Sequence, residues 1–288
     1  MKPYPFEYTR VSSLEEAVTL LQREDEPRII AGGQSLVPIL AMRLAAPSRL
    51  IDIGGLSALR GIERRGDVLR IGALARHAEV MASAEVAEAV PLLARAISHV
   101  AHPAVRNRGT FGGSVCLADP AAELPAVCTA LGATFEVFGS DGLRTIPARE
   151  FFLDIYETAL APDEILVAAQ LPVACPKERF GFEEIARRHG DFAIVGLAVR
   201  ARMEGTLFAE LDLCFFGASP RPVLAQNAAR AVIGQELTDE TQQAAVSALT
   251  ADLDPQEDAQ ADAEMRLHLA GVLLKRRLAE IAGKERQQ

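Results

Sequence analysis

The chain has 288 residues, 49% of them hydrophobic and 24% charged, with a formal net charge of −9 at pH 7. That is a globular composition, long enough for a substantial core and one to three domains. The acidic balance argues against general nucleic-acid binding and against a polybasic membrane patch. No apolar run is long enough to span a bilayer, and "MKPYPFEYTR" lacks the apolar stretch of a signal peptide, so a cytoplasmic location is expected.

In chain order, "SSLEEAVTLLQRE" predicts a helix capped by Ser12 or Ser13, with Glu15 and Glu16 in its first turn and Leu14, Val18 and Leu21 on one face. "PRIIAGG" reads as a short strand ending in a turn. "SLVPILAMRLA" reads as a helix with Pro38 in its first turn, and "SRLIDIGG" as a second buried strand. Together these predict a βαβ unit with a parallel pair. "GIERRGDVLRIGAL" predicts a hairpin near Gly66-Asp67, and "HAEVMASAEVAEAVPLLARAISHVA" a helix in two pieces broken before Pro91. "GATFEVFGSDGLRTIPARE" predicts a second hairpin, and "DEILVAAQLP" a further strand.

The Pro-rich stretch "LPVACPKERFG" marks a boundary near 172–178. Beyond it, two long strands joined at Glu204-Gly205 are followed by helices over roughly 222–233, 238–250 and 260–283, then a polar tail. In the last helix, Met265, Leu269, Val272, Leu273 and Leu278 can share an apolar face.

Two glycine turns invite a chemical reading. "IIAGGQSL" and "RNRGTFGGSV" each pair two glycines with hydroxyl residues beside an apolar segment. Glycine permits positive φ and close approach, and a turn entering a helix leaves N–H groups pointing outward, which suits an anion without Lys or Arg. Two such loops could hold both phosphates of a diphosphate, although each taken alone is more simply a capped turn. Neither G-x-x-x-x-G-K-[ST] nor G-x-G-x-x-G after the first strand is present, so a P-loop and a Rossmann site are not expected.

The segments "IIAGGQSLVPILAMRLAAPSRLIDI", "AHPAVRNRGTFGGSVCLADPAAELPAV" and "RRHGDFAIVGLAV" resemble the FAD-binding medium subunits of molybdenum hydroxylases, the group of carbon monoxide dehydrogenase, xanthine dehydrogenase and quinoline oxidoreductase. The resemblance runs in order over nearly the whole chain. It implies an α+β chain: a two-subdomain FAD-binding fold (a small βαβ subdomain and a larger mixed α/β subdomain), then a C-terminal domain of antiparallel sheet and helices. The expected division is 1–175, with subdomains of about 1–55 and 56–175, and 176–288.

The resemblance further implies non-covalent FAD. Ile30, Ala31, Gly32, Gly33, Gln34, Ser35 and Leu36 would form the first binding segment, and Thr110, Gly112, Gly113 and Ser114 the second, with Val100 beside them. Glu123 falls where relatives place an acid near the adenosine ribose, and Leu160 near the position covering the isoalloxazine ring. No residue of this chain is implied as catalytic or metal-ligating. Molybdopterin and [2Fe-2S] clusters would lie on partners, a large molybdopterin-binding subunit and a small iron–sulfur subunit, arranged as a dimer of heterotrimers. Substrate choice would rest with the large subunit.

Two departures stand out. Gln34 occupies a position where many relatives have His, and Glu183 and Glu184 stand where some have Lys, which bears on how the flavin potential is tuned. Arg106 and Arg108 are expected to support the second loop, by ion pairs with Asp119 or Glu123, rather than to neutralise phosphate. His99 and His102 lack nearby partners for a metal, and the four scattered cysteines are expected to be buried apolar residues. The leading expectation is an FAD-carrying electron-transfer subunit. A stand-alone flavin-dependent oxidoreductase and a non-catalytic nucleotide-binding module are the alternatives.

Overall fold

The computed structural model describes residues 2–283. Strand β1 (Glu7–Arg10) leads to helix α1 (Leu14–Arg23), whose start is fixed twice: Ser13 accepts from the Glu16 amide, and the Ser12 amide and hydroxyl both donate to the Glu16 carboxylate. Then come β2 (Arg28–Ile30), α2 (Leu36–Ala41) and β3 (Arg49–Asp52). The three strands form one parallel sheet in the order β1-β3-β2. The predicted βαβ unit is present, and β1, not read from the sequence, extends it. Helix α2 is shorter than expected, because Arg43 turns left-handed at φ +59°.

After a 3-10 turn at Ser57–Leu59 the chain forms β4 (Ile62–Arg65) and β5 (Val68–Gly72). Six helices follow: α3 (His77–Ala82), α4 (Ala84–Ala89), α5 (Pro91–Ala96), α6 (Pro103–Arg106), α7 (Phe111–Leu117) and α8 (Glu123–Leu131). The segment read as two helical pieces is three. Ser83 leaves the helical region and caps α4 through the Val86 amide, a break that serine's affinity for N-caps explains. The chain continues through β6 (Thr134–Gly139), β7 (Gly142–Pro147), α9 (Ala148–Phe151), β8 (Phe152–Asp154), β9 (Glu157–Thr158) and β10 (Ile165–Pro172). Strand β10 returns between the two predicted hairpins, giving an antiparallel sheet β4-β5-β10-β6-β7.

The last third holds β11 (Glu178–Ile185), β12 (Val195–Glu204), β13 (Leu207–Phe216) and β14 (Val223–Leu224), an antiparallel sheet in chain order. It is followed by α10 (Gln226–Arg230), α11 (Asp239–Asp252) and α12 (Ala263–Ile281). The sheet's two faces follow the strand period of two. Val195, Leu197, Val199 and Ala201 pack under the last helices. The row Phe182–Ala198–Cys214–Leu224 instead faces the main core, beside Leu92, Leu124 and Val127. Helix α8, wedged there, is buried at every position, as an all-round apolar helix must be.

In α12 the expected face holds at Leu273 and Leu278, with Leu269 packed on the same cluster, and fails at its start. Met265 is exposed, and Arg266 is buried instead, donating to the carbonyls of Ile194 and Gly217 and pairing with Asp258 at 2.6 Å. Among the cysteines, Cys128 and Cys214 are buried as expected and Cys116 is half-buried, but Cys175 is exposed in the segment after β10. The polar tail lies outside the described residues.

Candidate functional site

The two glycine bends, almost eighty positions apart in sequence, meet backbone to backbone. A Cβ added at Gly32 would fall 2.3 Å from the Arg108 carbonyl oxygen and 2.9 Å from the Gly109 Cα. Only a residue without a side chain permits that approach. Gly33 then turns at φ +71°, and the Gln34 amide group donates to the Gly32 carbonyl at 3.1 Å, tying the bend to itself.

The first bend leaves its own donors free. The amides of Gly32, Gly33, Gln34, Ser35 and Leu36 donate to no acceptor in the described chain. Ser35 occupies the N-cap position of α2, yet its side chain makes no capping bond, so its hydroxyl also remains free. No carboxylate lies between Pro27 and Ile51 in sequence. This is a half-exposed run of consecutive N–H groups, the arrangement that cradles a phosphate.

The second bend is built differently. Its amides are mostly spent: Phe111 on Ala75 O, Gly112 on Ala73 O, Gly113 on the Thr110 hydroxyl at 3.1 Å and Ser114 on Thr110 O. Thr110 caps α7 in this way. Gly112 is needed because a Cβ there would come within 2.6 Å of Ala73 Cβ. What this bend presents is shape, the Thr110 amide and the Ser114 side chain rather than a row of donors.

Buried side chains hold the second bend in place. The Arg106 guanidinium donates to the carbonyls of Val100 and Ala101, the latter at φ +46°. Support of the loop was expected of this residue through Asp119 or Glu123. It acts through carbonyls, since neither carboxylate pairs with it among the described residues. His77, behind Gly109, is 4% exposed, and burial, with Arg106 adding to it, pushes its imidazole down to about 4, so it is neutral near pH 7. Arg108 is exposed.

A second group of charges lies where α5, α8 and β11 converge. Glu123, first residue of α8, is 8% exposed, and burial pushes its carboxyl up to about 7; nearby Glu184 and Asp119 push the same way and His99 opposes them. His99 Nδ1 lies 3.2 Å from Glu184 Oε1, a contact that raises the histidine's pKa. Its ring packs on Phe182 at 5.0 Å. His99 thus has an acidic partner that its own stretch of sequence does not show. Glu183 faces away, to Arg276 and Arg277.

Val100 is buried beside the second bend. Leu160 is half-buried against the main core, and its tie to this region is indirect: Tyr156, left-handed at φ +56°, donates to Asp119 at 3.2 Å just before α8. Ile30 ends β2 against the first bend. Sequence reading missed the buried His77 behind Gly109, and it missed the pairing of Glu184 with His99, whose elements are distant in sequence.

Comparison with known proteins decides what this arrangement belongs to. Residues 4–174 match the family described as the FAD binding domain in molybdopterin dehydrogenase, and residues 180–281 the CO dehydrogenase flavoprotein C-terminal domain. The chain belongs to the FAD-binding subunits of the molybdenum hydroxylases. It is 36% identical to the carbon monoxide dehydrogenase medium chain of Hydrogenophaga pseudoflava, covering 96% of this chain and 97% of that one. It is 37% identical to the nicotine 6-hydroxylase medium subunit of Paenarthrobacter nicotinovorans, covering 97% and 98%. The carbon monoxide dehydrogenase structure from Hydrogenophaga pseudoflava superposes with a TM-score of 0.95 over 99% of both chains at 36% identity. Quinoline 2-oxidoreductase from Pseudomonas putida 86 does so at 0.93, also over 99% of both chains and at 36% identity.

The fold class is therefore that of these medium subunits, a two-part FAD-binding fold with a C-terminal domain, and the cofactor is FAD. The residues fit it: the free amides of the first bend match a diphosphate, and the buried Glu123 can accept from sugar hydroxyls. Members of this group are medium subunits of multi-subunit oxidoreductases. No described helix is long and apolar enough to cross a membrane.

Proposed function

We propose that this chain carries electrons from iron–sulfur clusters on a small partner subunit, through FAD held between its two glycine bends, to an external acceptor, while a large molybdopterin-bearing partner hydroxylates the substrate. Bound FAD supplies the redox chemistry, converting single-electron delivery into a two-electron output. The chain's own residues bind and orient it. The Gly32–Leu36 amides hold the diphosphate without a counter-cation, with Ile30 and Ala31 leading into that run. Thr110 and Ser114 add polar contacts, with Gly112 and Gly113 giving them room. Glu123 takes the adenosine ribose, Leu160 shields the ring system, and Val100 walls the second bend. Attachment is non-covalent, since the first bend offers Gln34 where a nucleophile would be needed.

The observation that carries this reading is the run of free amides pinned against the second bend by the Gly32–Arg108 approach. The three larger sheets support a division into 1–175, with subdomains of about 1–55 and 56–175, and 176–288. A cytoplasmic dimer of heterotrimers completes the reading. The test is reconstitution. The isolated chain is expected to show flavin absorbance and no hydroxylation of substrate, which appears only with both partners. Gly33→Val, forced into a left-handed turn at about 1–2 kcal/mol, is expected to lose flavin. Turnover by the chain alone, or full flavin in the variant, overturns the reading.

A further inference from the structure

Where α5, α8 and β11 converge, one carboxylate oxygen is left over. The Glu184 side chain is only 4% exposed; its Oε1 meets His99 Nδ1 at 3.2 Å, and its Oε2 has no hydrogen-bond partner among the described residues. A buried carboxylate with one oxygen unpaired is costly unless a positive charge compensates it. Here that charge is the His99 imidazolium, whose pKa the Glu184 contact raises above the usual histidine value. Phe182 backs the ring at 5.0 Å and His189 meets it edge-on at 6.0 Å. The turn that carries His189 is seated on His102, since a Cβ at Gly190 would fall 2.6 Å from His102 Cε1.

Glu123 is the third member of the group. It opens α8, where the helix dipole favours a carboxylate, and the only hydrogen bond it receives among the described residues is from its own backbone amide. Burial opposes a charge on it and is fixed by the fold. Glu184 adds repulsion and His99 attraction, and these two can change with their own charge. The other groups around α8 are already committed. Asp119 also repels, but its oxygens accept from the Ala121 amide and the Tyr156 hydroxyl. Arg95 is turned to the Phe180 carbonyl, and the Arg149–Asp212 pair lies at the far end of α8, by Thr129. Burial pushes the Cys116 thiol of α7 up to about 12, so it carries no charge. An ionised carboxylate accepts from hydroxyls about twice as strongly as a neutral one, so a Glu123 that grips the ribose favours its charged form.

We infer that the His99–Glu184 pair sets the ionisation of Glu123, and that seating the dinucleotide expels one proton from that carboxyl to solvent. This rests on the assignment of Glu123 to the ribose. The flavin-free full chain is titrated with FAD between about pH 5.5 and about pH 8, and calorimetry in two buffers of different ionisation enthalpy reads the proton released. The free carboxyl titrates at about 7 and the bound one lower, so affinity is gained as pH rises to about 7 and then levels off. The wild type is expected to tighten roughly tenfold across the window and to release up to one proton at its acid end. His77, pushed down to about 4, stays neutral throughout. His99→Gln keeps a donor for Glu184 but removes the positive charge, and is expected to move the midpoint to higher pH. Glu184→Gln removes the repulsion and is expected to move it to lower pH. His268→Gln, at an exposed position on α12, leaves it in place. The two variants are read separately, so misfolding of one leaves the sign of the other to decide. A midpoint that does not move in a folded variant, or moves the opposite way, overturns the inference. If Glu123→Gln keeps the wild-type slope, the ribose assignment fails first.

Discussion

Gly32 and Gly33 sit side by side under different constraints. Gly32 is required by an approach from outside, the Arg108 carbonyl, whereas Gly33 is required by its own φ of +71°. The sequence shows both as glycine and distinguishes neither. Glu123 has a constraint that can be titrated. Its carboxyl lies at about 7 when folded against 4.5 in a free chain, chiefly because burial disfavours the charge. A folded-state pKa raised in this way gives stability that is full below about pH 4.5 and is lost as pH rises through 7. Glu123→Gln removes that dependence. The flavin-free variant is therefore expected to gain on the wild type between pH 5 and pH 8, by on the order of 3 kcal/mol at most. Urea unfolding at the two pH values measures it, and parallel shifts in both proteins would show that Glu123 is not desolvated.

At the scale of elements, α7 shows how a short helix is held. Thr110 accepts from the Gly113 amide, and the amides of Phe111 and Gly112 reach back to the strand-end segment at Ala73 and Ala75. Thr110→Ala is expected to cost about 1 kcal/mol of stability in the flavin-free protein, with Thr110→Ser restoring most of it. Thermal unfolding checks this, and an unchanged midpoint would mean that the cap contributes nothing. The elements legible in the sequence were those whose signal is local. The Ser13 cap, the hairpin around Gly66 and the long strands β12 and β13 all carry their own turn or period. The ones missed depend on neighbours. Strand β1 is only four residues and exists because β3 offers a parallel edge. The start of the α12 face was misread because Arg266, polar in sequence, is buried by two carbonyls and Asp258 that come from elsewhere. The two glycine bends were visible as pairs of motifs. That one keeps its amides free while the other spends them was not, since Ala73 and Ala75 lie some forty residues before the second bend.

Across the whole molecule, the main core does not stop where the sequence suggests a boundary. Phe180, Phe182, Cys214 and Phe216 come from the last sheet and pack in the same cluster as Leu124 and Val127 of α8. The Arg95 side chain also donates to the Phe180 carbonyl. A fragment ending at residue 175 would expose that surface, so it is expected to bind a hydrophobic dye and to aggregate, whereas the full chain does neither. A well-dispersed NMR spectrum from the fragment would contradict the shared core. The contact between Gly32 and the Arg108 carbonyl reaches furthest. It couples the small parallel unit to the larger antiparallel one beside the proposed diphosphate site. On the proposed reading, release of the dinucleotide requires the two units to hinge apart as bodies, and its off-rate is expected to track slow amide hydrogen exchange at the seam.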